Sequence, residues 1–267
     1  MRKLSYLRSI TIHSVMKIVL IGSGNVATHL GGALQKANHQ ILQVFSRSKA
    51  NATDLATKLN AEAISNLSDV DKDADVYILS IKDDALESVI SSLPQLKGMV
   101  VHTAGSVAMD VLIGFDKYGV FYPFQTFTKS TQVDFQVIPI LVEGQNKEQT
   151  QLLFDLGCEL SKNVIKANSY QRGQLHIAAV YACNFTNHMY RLANEVLDKS
   201  ELPFDLLHPL ITETAAKVQK LSPYQTQTGP AARNDKTIIK KHLSAISNND
   251  ELSEIYRVLT DSIIRRC

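Results

Sequence analysis

Residues 17–38 read KIVLIGSGNVATHLGGALQKAN, and this stretch decides the fold. An apolar run is followed by a glycine-rich turn and then by the apolar spacing of a helix. Gly22, Gly24 and Ala27 form a GxGxxA pattern in which the first glycine permits a tight turn, the second lets a diphosphate approach the backbone, and the alanine allows close packing. Such a turn can also be purely structural. We predict a dinucleotide site at Gly22, Ser23, Gly24, Asn25, Val26 and Ala27.

Apolar strand-like runs alternate with helical patterns up to about residue 167. The runs lie at 17–22, 41–46, 75–81, 99–104, 118–124, 137–144 and 163–168, and the helical patterns at 26–38, 49–59, 83–93 and 147–161. Continuous apolar runs are typical of parallel strands that are covered on both faces. We therefore predict an α/β fold with a Rossmann-type doubly wound, mostly parallel sheet. Only helical patterns follow, at 171–198, 203–221, 235–246 and 250–265, so an all-helical C-terminal domain is expected.

The composition of the 267 residues argues against several classes of protein. With 45% hydrophobic and 20% charged residues, the chain can bury a substantial core. Its formal net charge of +2 is too small a basic excess for a general binder of nucleic acids or membranes. The three cysteines, Cys158, Cys183 and Cys267, are widely spaced, which favours a reducing cytoplasmic location over a disulfide framework or a metal site.

The residues after the second apolar run indicate which dinucleotide binds. Sites for NAD place a carboxylate about 20 residues past the glycines, where it accepts a hydrogen bond from the ribose 2′-hydroxyl. This chain instead has Ser46, Arg47 and Ser48 there. A guanidinium flanked by hydroxyls suits a 2′-phosphate, so these residues predict NADP as the cofactor. The alternative is that Arg47 is an ordinary solvated surface residue.

Two further segments follow predicted strands and are expected at the same edge of the sheet. Ligands of open α/β sheets bind at the carboxyl ends of the strands. We expect the nicotinamide and its ribose to be lined by Ser80, Ile81, His102, Thr103 and Ala104. His102 could equally be a structural histidine that is satisfied at a strand end.

The helical half contains two polar stretches that could hold a substrate. His176, Val180 and Asn184 follow at i+4 steps on the long helix, where an imidazole or amide could polarise a carbonyl, or else join helices by hydrogen bonds. The second stretch, QTQTGPAARND at 225–235, includes Thr228 and Arg233, and could clamp an anionic substrate. It could also be a turn in which Asp235 caps the next helix.

Several motifs together resemble a known family. MKIVLIGSGNVATHL, VFSRS, HTAGS, YPFQTF, GQLHIAAVYACNF and TGPAARND resemble the NADP oxidoreductases that join a Rossmann-like domain to a helical domain of unknown function. This family is related to the deazaflavin-dependent NADP oxidoreductases, pyrroline-5-carboxylate reductase and the 6-phosphogluconate and β-hydroxyacid dehydrogenases. The resemblance implies NADP binding, a substrate cleft between the domains, and a homodimer formed through the helical domain.

The resemblance also organises the chain and its expected chemistry. Residues 1–15 are interpreted as an N-terminal extension or an extra edge strand, 16–168 as the NADP-binding domain and 169–267 as the helical domain for substrate and dimerisation. β-Hydroxyacid dehydrogenases place a catalytic lysine where this chain has Val180, so His176 becomes the candidate general acid, with Asn184 beside it. We expect hydride transfer between NADP(H) and a small C=O or C=N compound. The alternatives are a non-catalytic NADP(H) sensor or, with less support, a site for S-adenosylmethionine.

Overall fold

The computed structural model describes residues 14–266 of the chain. The described part forms two compact units, of which the first ends at Tyr181 and the second begins at Ala182. Most of the predicted N-terminal extension lies outside the described residues. The first unit includes residues 169–181, which the sequence analysis assigned to the helical domain.

An eight-stranded sheet is the centre of the first unit. Its strands are β1 Lys17–Ile21, β2 Gln40–Phe45, β3 Glu62–Ile64, β4 Val76–Leu79, β5 Met99–His102, β6 Tyr118–Pro123, β7 Ile140–Gly144 and β8 Val164–Lys166. They are ordered β3-β2-β1-β4-β5-β6-β7-β8, and only the β6–β7 pair is antiparallel. The strand order β3-β2-β1-β4-β5-β6 is that of a Rossmann fold, which confirms the predicted fold class.

The first unit has five α-helices among its described residues; the first four connect parallel strands and cover both faces of the sheet, and the last follows β8. They are α1 Asn25–Lys36, α2 Lys49–Lys58, α3 Leu86–Ser92, α4 Lys147–Leu160 and α5 Ser169–Ala179. Every residue of β4 is buried, and two separate apolar clusters pack against opposite faces of the sheet. This two-sided burial explains why the strands are continuous apolar runs rather than alternating patterns.

The second unit is helical in the part that the structure describes. Its helices are α6 Thr186–Asp198, α7 His208–Val218, α8 Pro223–Thr226, α9 Lys236–Ala245 and α10 Asp250–Ile264. The side chain of Asp235 accepts the N–H of Ile238 at 3.1 Å, so the prediction that Asp235 caps a helix is confirmed. None of the helices among residues 14–266 is both long and apolar enough to cross a membrane.

Two features of the fold differ from the sequence analysis. The short edge strand β3 was not predicted, because only Ile64 of its three residues is buried and the segment has no apolar run. The long helix predicted over 171–198 is interrupted at Val180–Phe185 by a π-helical segment that joins α5 to α6. π-Helical turns are rare in proteins, and those that occur often lie at functional sites.

Candidate active site

The glycine-rich turn lies at the carboxyl end of β1, directly beside the end of β4. Gly22 has a φ of +124°, a backbone conformation that residues other than glycine rarely adopt. A Cβ at Gly22 would also collide with the carbonyl of Ser80, whose own N–H donates to Ile21 at 2.8 Å. Glycine is therefore required here by the close approach of the two strand ends.

The first turn of α1 is open in the way that a bound phosphate requires. Gly24 is its N-cap residue and provides no side-chain cap, and the first turn carries no acidic residue. A Cβ at Gly24 would meet no heavy atom within 4 Å, so this backbone faces open space. The N–H groups at a helix start are unpaired and partly positive, and they fit a diphosphate. Ala27 is fully buried between helix and sheet, as the GxGxxA pattern predicted.

A loop that follows β6 is fastened to this first turn. The side-chain amide of Asn25 donates to the carbonyl of Phe127 at 2.8 Å. The ring of His29 lies 2.9 Å from the carbonyl oxygen of Thr128 and stacks on Phe127, with 5.3 Å between ring centroids. Asn25, which the sequence predicts to contact the cofactor, therefore holds this loop through a hydrogen bond. The loop forms one wall beside the turn.

The end of β2 presents an unpaired cation. Ser46 closes the strand with a bond from its N–H to the carbonyl of Ile64, and the hydroxyl of Ser48 caps α2 through the N–H of Asn51 at 3.4 Å. Arg47 between them is exposed, and it makes no ion pair with any residue in 14–266. A guanidinium without a protein partner remains available for a phosphate.

The ends of β4 and β5 meet through buried polar side chains. The hydroxyl of Thr103 lies 3.4 Å from that of Ser80. His102 is fully buried, and its Nδ1 accepts the N–H of Ala104 at 3.1 Å. Burial lowers the pKa of His102 to about 4, and the positive charge of Arg172 acts in the same direction. The imidazole is therefore uncharged at neutral pH, and while its Nδ1 is bonded, its buried Nε2 has no hydrogen-bond partner among residues 14–266.

A buried ion pair holds α5 against this edge of the sheet. Arg172 is fully buried and pairs with Glu143 of β7 at 2.5 Å. Its other N–H groups donate to the carbonyls of Ala104 and Val107, and to the hydroxyl of Ser169. A desolvated guanidinium is tolerated only when it is paired and hydrogen-bonded, as it is here. The network fixes the loop after β5 relative to α5.

One turn beyond Arg172, the same helix places His176 beside Tyr122 of β6. The Tyr122 hydroxyl lies 3.2 Å from Nδ1 of His176. A Cβ at Gly105 would lie only 2.7 Å from that nitrogen and 2.8 Å from the hydroxyl, so the pair sits directly on the glycine backbone. Burial raises the pKa of Tyr122, and the negative charge of Asp83 adds to the effect. The phenol therefore keeps its proton at neutral pH.

The structure brings most of the predicted cofactor and catalytic residues to one edge of the first unit. That edge holds the glycine-rich turn, the ends of β2, β4 and β5, and His176. Asn184, Thr228 and Arg233 belong to the second unit, where all three are exposed. Their roles stay predictions.

Sequence reasoning did not identify Tyr122, Arg172, Glu143, Asp83 or Ser106. The signals were weak but present: Tyr122 lies in YPFQTF, and Arg172 precedes His176 by one helical turn. Their partners lie far away in the sequence, so only the structure shows that Arg172 is fully buried against Glu143 and that Tyr122 contacts His176.

Two family models match the chain. The model described as NADP oxidoreductase, coenzyme F420-dependent, matches residues 17–104, and a domain of unknown function (DUF2520) matches residues 138–263. The structure of a "putative NADP oxidoreductase" from Bacteroides fragilis is 44% identical to the chain, and the match covers 94% of this chain and 98% of that one, with a TM-score of 0.87. The chain belongs to the NADP oxidoreductase family. Membership confirms the predicted class of enzyme and NADP as its cofactor.

More distant structures share the fold of this NADP oxidoreductase. The reductive aminase from Aspergillus terreus in complex with NADPH and ethyl levulinate is 14% identical over 94% of each chain, with a TM-score of 0.74. The 1-pyrroline-5-carboxylate reductase from Streptococcus pyogenes is 15% identical over 94% of this chain and 99% of that one, with a TM-score of 0.63. The search of curated protein sequences found no match to this chain.

Proposed function

We propose that this NADP oxidoreductase transfers a hydride between NADP(H) and a small C=O or C=N compound, with the Tyr122–His176 pair as the source of the proton. The observation that carries the proposal is the bond of 3.2 Å between these side chains at the edge that holds the dinucleotide turn. The location of the substrate in a cleft between the domains stays a prediction.

The cofactor residues each supply a separate part of the binding site. The open N-terminus of α1 at Gly24 suits the diphosphate, and Arg47 suits the 2′-phosphate. Ser80 and Thr103, whose hydroxyls lie 3.4 Å apart after β4 and β5, are proposed to line the nicotinamide ribose. NADPH, when bound, supplies the hydride, and the chain supplies orientation and proton transfer.

The Tyr122–His176 pair is suited to give a proton to a substrate oxygen or nitrogen. Tyr122 keeps its hydroxyl proton at neutral pH, as any phenol of ordinary pKa does, and burial and the charge of Asp83 raise its pKa further. The imidazole of His176 can return a proton to the phenol through Nδ1 after each transfer. Val180, which stands where related dehydrogenases have lysine, has no proton to give. The proposed role of Asn184 is to hydrogen-bond the substrate.

Arg47 should select NADPH over NADH. In Arg47→Ala we expect NADPH affinity to fall by about 10- to 100-fold, as when a hydrogen bond to a charged group worth roughly 1.5–3 kcal/mol is lost. NADH affinity should be unchanged, because NADH has no 2′-phosphate. Calorimetric titration of both cofactors measures this, with Lys49→Ala as the control for a neighbouring exposed cation. Equal losses for NADPH and NADH would contradict the assignment.

Gly24→Ala tests the diphosphate site. The extended backbone of Gly24, with φ −77° and ψ −169°, accepts alanine, so we expect thermal stability to stay close to that of the wild type. NADPH affinity should fall by about 10- to 100-fold, because the methyl group occupies the space of the diphosphate and disturbs at least one charge-assisted bond. Gly32→Ala in the same helix, which also meets no heavy atom within 4 Å, is the matched control. A normal NADPH affinity in Gly24→Ala would show that the turn is only structural.

We also propose that the enzyme is a cytoplasmic homodimer that associates through its helical unit. In this unit the apolar residues Leu206, Leu210 and Val258 are 60%, 63% and 59% exposed. Contact with a second copy would remove these apolar side chains from water, and this gain supports the proposed dimer. The cytoplasmic location rests on the wide spacing of the cysteines.

A further inference from the structure

Asp83 lies near the Tyr122–His176 pair, and in the proton transfer proposed above it acts only through its charge, without giving or taking a proton. It follows β4 by four residues, and its carboxylate accepts a hydrogen bond from the hydroxyl of Ser106. Ser106 directly follows Gly105, the glycine on whose backbone the pair sits. Asp83 and Ser106 are both exposed. The carboxylate is therefore open to solvent and to a ligand.

The charge of Asp83 is not neutralised within the first unit. Among residues 14–266, it makes no ion pair, and its one hydrogen-bond partner is a neutral hydroxyl. The nearby Arg172 is paired with Glu143, and His102 is uncharged at neutral pH. The exposed neighbours Lys82 and Asp84 carry opposite charges that offset one another. A single negative charge is left near the phenol, because the Ser106 that donates to it directly follows Gly105, where a Cβ would lie only 2.8 Å from the Tyr122 hydroxyl.

We infer that Asp83 binds a positively charged nitrogen on the substrate, so that the enzyme takes ammonium or iminium compounds in preference to neutral or anionic ones. The inference rests on the proposed function. A carboxylate attracts a cation and repels an anion across several ångströms, and the Ser106 hydroxyl holds this carboxylate in one orientation. Arg233, if it clamped an anionic substrate, would favour a carboxylate, and a substrate that carries both charges would satisfy both residues.

Binding of non-reacting probes tests the charge preference without turnover. Piperidine, protonated at neutral pH, is titrated into the NADP+-saturated protein by calorimetry, beside its neutral isostere tetrahydropyran and the anion cyclohexanecarboxylate. We expect piperidinium to bind at least about tenfold more tightly than either, as for one charge-assisted hydrogen bond. In Asp83→Asn, whose amide oxygen can still accept from Ser106, this advantage should disappear. Asp84→Asn, the adjacent exposed acid, should keep it.

The outcomes separate this inference from the proposed function. If the protein binds NADP+ but piperidinium has no advantage, or if it binds no probe at millimolar levels, the assignment of Asp83 is wrong and the cofactor site stands. Equal losses in Asp83→Asn and Asp84→Asn also overturn it, because they indicate general surface charge. A changed ratio of NADP+ to NADPH affinity in Asp83→Asn, with unchanged piperidinium binding, would place Asp83 against the nicotinamide instead. If Asp83→Asn fails to fold, Asp83→Ser, which also removes the charge, replaces it, and an unchanged piperidinium advantage in that variant overturns the inference.

Turnover then distinguishes the two sources of a positive nitrogen. A cyclic imine presents the charge on the C=N group that is reduced, whereas an amino ketone presents it on a separate ammonium group. Asp83→Asn should lower kcat/KM for whichever class is used by about tenfold or more, and by a larger factor than for a neutral ketone. NADPH affinity, measured separately, should stay that of the wild type.

Discussion

Tyr122→Phe should lower kcat by about 10²- to 10⁴-fold, the usual contribution of a positioned general acid. The substitution removes only the hydroxyl that lies 3.2 Å from His176, so folding and NADPH affinity should be unchanged. Tyr118→Phe, on the same strand and 5% exposed, is the matched control and should keep full activity. Steady-state kinetics across ketones, imines and aldehydes supply the measurement, with NADPH titration as the test of cofactor binding.

The double variant shows whether Tyr122 and His176 act together. His176→Ala should lower kcat by a similar factor without weakening NADPH binding, because its imidazole contacts Tyr122. If the two side chains form one proton-donating unit, Tyr122→Phe combined with His176→Ala should lose little more than either single variant. Multiplied losses would indicate independent roles. Full activity in both single variants would remove the pair from the mechanism, and a protein that binds NADPH but turns over no substrate would favour the sensor alternative.

Arg172→Met should destabilise the protein by about 3–5 kcal/mol, the usual cost of breaking a buried ion pair from one side. Glu143 would remain only 15% exposed without its cation, and the carbonyls of Ala104 and Val107 would lose their donor. The loss should appear as a fall in Tm of about 6–20 °C, at roughly 2–4 °C per kcal/mol. Thermal and urea unfolding measure it.

Two further variants define the role of this pair. Arg191→Met removes an exposed pair with Glu195 at 3.1 Å and should change stability by less than about 1 kcal/mol. Arg172→Lys keeps the charge but lacks the planar fork that reaches Glu143 and both carbonyls, so its stability should lie between those of the wild type and Arg172→Met. If Arg172→Met lost no more stability than Arg191→Met, the network would not hold α5 in place.

The sequence predicted those features whose cause is local in the chain. The unit of β1, turn and α1 follows from an apolar run, from glycines that permit a positive φ and an open helix start, and from a small alanine. The cap at Asp235 is equally local, since its partner Ile238 lies three residues away. The edge strand β3 was missed because a three-residue strand with one buried side chain leaves almost no pattern. The antiparallel pairing of β6 and β7 was likewise left unspecified.

By itself, the sequence determined the sheet, the dinucleotide turn and the cation at Arg47, because each depends on neighbouring residues or on a regular apolar period. Only the tertiary structure brought Tyr122 to His176, Glu143 to Arg172, and Asp83 to Ser106, across 54, 29 and 23 residues of chain. The reason is physical: a buried charge or phenol can be satisfied by any partner that the strand order delivers, and no local periodicity records which one arrives.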